Sequence, residues 1–333
     1  MGTSAGRCQP PIAVGSKTLI VGVTVSLTAY GVYWILKQQL LERAHWRMTV
    51  VAVILCVLLF SLSGIKLGYT MRRVYGRSLS AFDVITLPVV MNLWGYLLPI
   101  KGGMLYSLFY MHRRYGVAFH QGGAISFFVY AVTLGLAGLM LLVSLHFEGG
   151  DHGVAVAIGL LLVFNYVLIM AALWLIARLA RSLPWEALRR IGDNLAALQG
   201  GLRAALVDPV LVFGVMSVSA VHFVVYVAWY MVASTAIGID LPWRLYLLMA
   251  IAGQVSIVFR ILPGNLGVSE ASVGAATLIF NGSFAQGVEI AVVVRLVNLL
   301  VTTIVGIPVL AKHMMQFDIR SCRAFRKQFG GGG

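Results

Sequence analysis

A handful of ionisable side chains stand inside the longest apolar stretches of this 333-residue chain: Lys101, Arg260, Glu270, Glu289 and Arg295, with Asp83 nearer the end of one stretch. Asn92, Gln254, Asn265 and Asn298 add neutral polar groups to the same stretches. A charge in hydrocarbon is costly, so each such residue is first a hypothesis about function. Lys101, Arg260 and Arg295 are three cations that could converge on one anion. A phosphate fits them, because arginine offers it two parallel donors and helix N-termini add to the field. Glu270 follows a Pro/Gly turn, where a helix should begin. There it is either a first-turn glutamate favoured by the helix dipole, or a charged group at a cavity that pairs with Arg295 or Arg260 and switches with a proton or ligand. The competing reading has the arginines pair with Glu270 and Glu289 and do no more than hold the fold. The set singled out for binding is Asn92, Lys101, Arg260, Asn265, Glu270 and Arg295.

Other chemistries lack their residues. No DxD, HExxH or clustered acid pair occurs, and only Glu270 could act as a buried base. His112, His120, His146, His152, His222 and His313 have no metal spacing, and His222 reads as a hydrogen-bonded packing residue. Cys8, Cys56 and Cys322 are too far apart to suggest a disulfide framework or a zinc site. No metal, cofactor or nucleotide motif is expected.

The elements that must position these residues are helices in a membrane. Apolar residues make up 60% of the chain and charged residues 11%, against roughly half and a quarter in soluble domains. The mean hydropathy is +0.91. Six segments are long enough to span a bilayer: residues 18–36, 48–65, 121–147, 153–177, 209–237 and 288–311. The first is expected to be retained, since no cleavage site follows it. Two further apolar regions, 81–111 and 244–280, are interrupted by Leu97-Leu98-Pro99-Ile100-Lys101-Gly102-Gly103 and by Ile261-Leu262-Pro263-Gly264-Asn265-Leu266-Gly267. Proline removes a helix donor and glycine permits the turn. Such backbone survives at membrane depth only under protein or beside a water-filled cavity. Each region therefore reads as a re-entrant helical hairpin, turning at Pro99, Gly102 and Gly103 in one case and at Pro263, Gly264 and Gly267 in the other. The plainer alternative is a full span followed by a surface helix.

Charge sets the orientation. With both termini in the cytoplasm, eighteen lysines and arginines fall in cytoplasmic segments, among them the group Lys66, Arg72, Arg73 and Arg77. Lys37, Arg43, Arg47 and Arg244 fall outside. That bias follows the positive-inside rule. It also accounts for a net charge of +14 through loops and anionic lipid head groups, and argues against nucleic acid. Residues 178–208 carry apolar residues at helical spacing and read as an amphipathic cytoplasmic loop. Residues 312–333 form a basic cytoplasmic tail whose final glycines resemble a scar. The two broken regions align at an offset of 164, which pairs Leu98-Pro99 with Leu262-Pro263, Lys101 with Asn265 and Gly103 with Gly267. Flanking spans correspond as well, giving a first repeat over 48–147 and a second over 209–311 that enter from opposite faces. The expected fold is thus all-α and polytopic: about six transmembrane helices plus two re-entrant hairpins in an inverted repeat, within one domain over 1–329. Transporters commonly place a substrate site at such a repeat interface.

The stretch from Ile261 to Glu270 resembles the signature of the flippase-like transmembrane domain of lysylphosphatidylglycerol synthases. The stretch from Asn92 to Gly103 is similar to that family's first motif, and Arg295 sits where its last helix usually carries an arginine. The first motif departs from the family pattern, with Met104 and Tyr106 where a glutamate and an arginine often stand. The resemblance implies a flippase: a membrane protein of the bacterial inner membrane that moves an anionic phospholipid, glycolipid or polyprenyl-phosphate-linked lipid between leaflets. Its partners would be that lipid, the surrounding anionic lipids and, in a homodimer, a second copy. No synthase domain is expected, and so no aminoacyl transfer. Two other readings compete with it: an intramembrane lipid-modifying enzyme, and an assembly partner of a lipid or glycan biosynthesis complex.

Overall fold

The computed structural model describes residues 46–98, 101–146, 153–182, 186–257, 263–279 and 282–329. The first expected span, residues 18–36, lies outside them, as do Pro99 and Arg260. The apolar run that begins at Met48 forms α1, Trp46–Tyr75. Nothing between Lys66 and Tyr75 breaks a helix, so α1 continues well past its apolar stretch. It stops at Gly76, whose φ of 66° is left-handed and whose N–H closes on the Arg72 carbonyl at 3.0 Å. Ser80 caps α2, Ala81–Leu97, by accepting from the Asp83 N–H. Then come α3, Gly102–Tyr115, and α4, Phe119–His146.

The expected span 153–177 is two helices, α5 (Gly153–Val163) and α6 (Asn165–Ser182), broken at Phe164. The Asn165 amide donates to the Leu162 carbonyl and, at 3.2 Å, to the Ala131 carbonyl of α4. A side chain that captures a nearby carbonyl competes with the helix ladder, which explains the break. Helix α7, Glu186–Val207, packs on α4 and α6. Asp208 then caps α8, Pro209–Ala236, accepting from the Val210 and Leu211 N–H groups, with proline in its favoured first position. Arg73 of α1 donates to Asp208 at 2.7 Å and holds its carboxyl below the usual range. The chain ends in α9 (Trp243–Ser256), a 3-10 turn (Pro263–Asn265), α10 (Val268–Ile279) and α11 (Phe284–Phe329).

Among the described residues, five helices are long and apolar enough to cross a membrane: α1, α4, α6, α8 and α11 up to His313. Val50 and Ile54 of α1, Phe213 and Val224 of α8, and Ile304 of α11 point outward and exposed. Contiguous apolar surface on this scale suits lipid. The chain is therefore a multi-pass α-helical membrane protein. Helices α2, α3, α9 and α10 have 17, 14, 14 and 12 residues. At about 1.5 Å per residue none reaches the roughly 30 Å of hydrocarbon.

The repeat extends through whole helices. Adding 164 to the first residues of α2, α3 and α4 gives 245, 266 and 283, and α9, α10 and α11 begin at 243, 268 and 284. The packing repeats too: α2 lies on α11 as α9 lies on α4, and α1 packs against its counterpart α8. The core at the centre, built on Trp229, Tyr230, Met249 and Ile290, draws on α1, α8, α9, α10 and α11.

Candidate functional site

Both breaks open onto one cavity of about 270 Å³. Tyr96, Lys101, Gly103 and Met104 line it from the first break, and Ser256, Gly264, Asn265 and Ser269 from the second. Lys101 and Asn265 have left-handed backbones, with φ of 58° and 59°. The breaks also meet directly. A side-chain carbon at Gly264 would lie 2.4 Å from the Tyr96 ring, and one at Gly103 would lie 1.9 Å from the Met91 carbonyl oxygen of α2. Only glycine permits either approach.

Of the binding residues chosen from sequence, Asn92, Lys101, Asn265 and Arg295 come together on the cavity wall. Arg295 donates to the Gly264 carbonyl at 2.7 Å and pairs with Glu270. Glu270 stands behind the wall, where it also accepts from the Gly267 N–H at 2.9 Å, reaching back to the cap of α10. The pair thus ties the second turn to α11. Asn265 donates to the carbonyl and the hydroxyl of Ser256, both at 3.0 Å. Asn92 donates to Asn298 and, at 3.0 Å, to Thr302, while Tyr96 donates to Asn298 at 3.3 Å. Glu289 is exposed on α11.

One wall of the cavity was not among the sequence candidates. Lys66, counted from the sequence among the loop charges, does not lie in a loop. It is inside α1, only 4% exposed, and lines the cavity. Its Nζ donates to Thr133 Oγ1 at 3.4 Å, which contacts Ser219 at 3.3 Å. His222, 6% exposed, meets Ser63 at 3.5 Å. The signal in the sequence is a helical stripe: Cys56, Leu59, Ser63 and Lys66 fall on one face of α1, and all four line the cavity. Phe60, Tyr130, Tyr226, Trp229 and Tyr230 supply aromatic walls.

A second polar cluster lies off this cavity, between α2, α3 and α11. Asp83, fully buried, accepts from the hydroxyls of Tyr110 (2.8 Å) and Tyr115 and pairs with Arg114 at 3.0 Å. His313 contacts the Tyr106 and Tyr110 hydroxyls at 2.9 and 3.2 Å. With its acid partnered on every side, this cluster fastens the first break to α11. No group of histidines, cysteines and acids among the described residues could hold a metal ion.

Fold and site together define a class: a multi-pass helical membrane protein with a polar, cation-bearing cavity between two broken helices. Within that class the chain belongs to the family described as the Lysylphosphatidylglycerol synthase TM region, which it matches over residues 16–306. No curated protein and no solved structure matches it.

Proposed function

We propose that this protein is a flippase that carries a lipid with a phosphate-bearing head group through the central cavity, from one leaflet to the other. One observation carries the reading. Lys66, Lys101 and Arg295 line the cavity, and no carboxylate is among the described residues that do. Such a wall attracts an anionic head group. The three cations without a lining carboxylate suit the passage of an anionic head group, and this supports transport. Family membership supports a role in lipid synthesis or flipping. The short paired helices are re-entrant hairpins that enter from opposite faces, with both termini in the cytoplasm and the chain in the inner membrane of a bacterium. Movement is downhill or driven by protons or membrane potential.

The test is leaflet exchange in vesicles holding the purified protein, with fluorescent phosphatidylglycerol or a polyprenyl phosphate in both leaflets and dithionite added outside. The protein should make the inner-leaflet label accessible well above the rate of protein-free vesicles. No acceleration with either lipid would overturn the proposal.

A further inference from the structure

The charges on the cavity wall are not equivalent. Arg295 is engaged by Glu270 and by the Gly264 carbonyl. Lys66 has no acid partner among the described residues, and its one hydrogen bond, to Thr133, is long. An ammonium buried to this degree without a counter-charge is costly, and an anion in the cavity is what would compensate it.

Other side chains on the same cavity wall carry buried polar atoms that lack partners. Three of those buried among the described residues belong to cavity-lining side chains: His222 Nδ1, Trp229 Nε1 and Asn265 Oδ1. The Ser63 hydroxyl gives its single proton to the Leu59 carbonyl at 2.9 Å. In its contact with His222 Nε2 it must therefore accept, which places the imidazole proton on Nε2 and leaves Nδ1 a bare acceptor. His222, Tyr226 and Trp229 are spaced to share one face of α8, and their rings follow one another at centroid distances of 5.9 and 5.7 Å. The free functions are thus a cation, an N–H donor and two acceptors beside aromatic faces. A phosphodiester linkage alone supplies no proton to the acceptors, and an ethanolamine or choline group would bring a second cation to Lys66. A phosphate ester of a polyol or sugar satisfies all of them.

We infer that Lys66, His222 and Trp229 form the head-group subsite, in which Lys66 holds the phosphate and His222 Nδ1 accepts a hydroxyl from an attached glycerol or sugar. The inference rests on the transport reading for its setting and is tested apart from it, by binding.

Calorimetry on the full-length protein in detergent would use dioctanoyl phosphatidylglycerol, dioctanoyl phosphatidylethanolamine, dioctanoylglycerol and acyl-free glycerol phosphate. The expected order has phosphatidylglycerol at least tenfold tighter than each of the others. Lys66→Met should lower its affinity at least tenfold, to that of dioctanoylglycerol, and Lys66→Gln, which keeps a donor for Thr133, should do the same. His222→Phe should bring phosphatidylglycerol and phosphatidylethanolamine level. Both Lys66 variants should melt no lower than wild type without lipid. Wild-type affinity in both Lys66 variants, or equal binding of dioctanoylglycerol, overturns the subsite. Equal binding of glycerol phosphate overturns its assignment to a lipid in favour of a soluble ester. If binding behaves as expected and leaflet exchange is absent, transport fails and the subsite stands. If exchange occurs and the Lys66 variants bind normally, the subsite fails and transport stands.

Discussion

Lys101 and Asn265, which stand 164 positions apart, are the two described residues other than glycine with left-handed backbones, at φ 58° and 59°. The repeat therefore extends to the conformation of single residues in its two turns. Left-handed backbone costs an ordinary L-residue about 1–2 kcal/mol and is eased for asparagine. Asn265 offsets it with two hydrogen bonds to Ser256. Asn265→Gly and Asn265→Ala both remove those bonds, but only alanine strains the turn. Alanine should be the more damaging by about 1 kcal/mol, read as the lower melting temperature in detergent. Equal melting temperatures would contradict this account of the turn.

Glu270 and Arg295 should be coupled. Their side chains are 12% and 15% exposed, so removing either leaves a largely buried charge alone. Glu270→Gln and Arg295→Met should each cost about 3 kcal/mol, the usual scale for breaking a buried pair. The double variant should cost less than the sum, because no charge is then stranded. Additive losses in a double-mutant cycle would show that the pair does not hold the turn.

Asp83 should matter for stability more than for lipid selection, because it lies off the cavity. Asp83→Asn weakens its bonds to Tyr110 and Tyr115 and leaves Arg114 without its carboxylate. The expected loss is about 3 kcal/mol, with Tyr115→Phe nearer 1 kcal/mol. Thermal unfolding in detergent checks both, alongside unchanged preference among short-chain lipids.

Asp208 links the start of α8 to Arg73. Its carboxyl is depressed when folded, first by the Arg73 hydrogen bond. Its contribution is therefore fully present above the unfolded carboxylate pKa and is lost as pH falls through the folded value. Asp208→Ala should melt below wild type at neutral pH, and the gap should shrink on acidification below the ordinary carboxylate range. A gap that holds constant into acid would contradict the assignment.

Much of the scaffold was legible in the sequence. Apolar length found α1, α4, α8 and α11, and Pro/Gly clusters found both breaks, because each reflects a local rule of helix formation. Lys66 was not legible by hydropathy alone. It is the first charge after an apolar run, which reads as a loop anchor, yet the helix carries it on to the same face as Ser63 and Leu59. The break at Phe164 goes with the Asn165 amide capturing the Leu162 carbonyl, a side-chain competition that hydropathy does not register. For Glu270 the sequence left two roles open. Glu270 lies between the Gly267 N–H and Arg295, contacts that hold the second turn.

A lipid head group that passes through the cavity between the two breaks should be slowed by narrowing that cavity. The most direct test is the dithionite-accessibility rate of fluorescent phosphatidylglycerol in vesicles carrying wild type or Met91→Trp. Met91 lines the cavity and is half-buried, so tryptophan there narrows the passage while removing no charge. Exchange should be rapid in wild type and at least tenfold slower in the variant, with similar melting temperatures. Equal rates in the two, or a wild-type rate no faster than in protein-free vesicles, would contradict it.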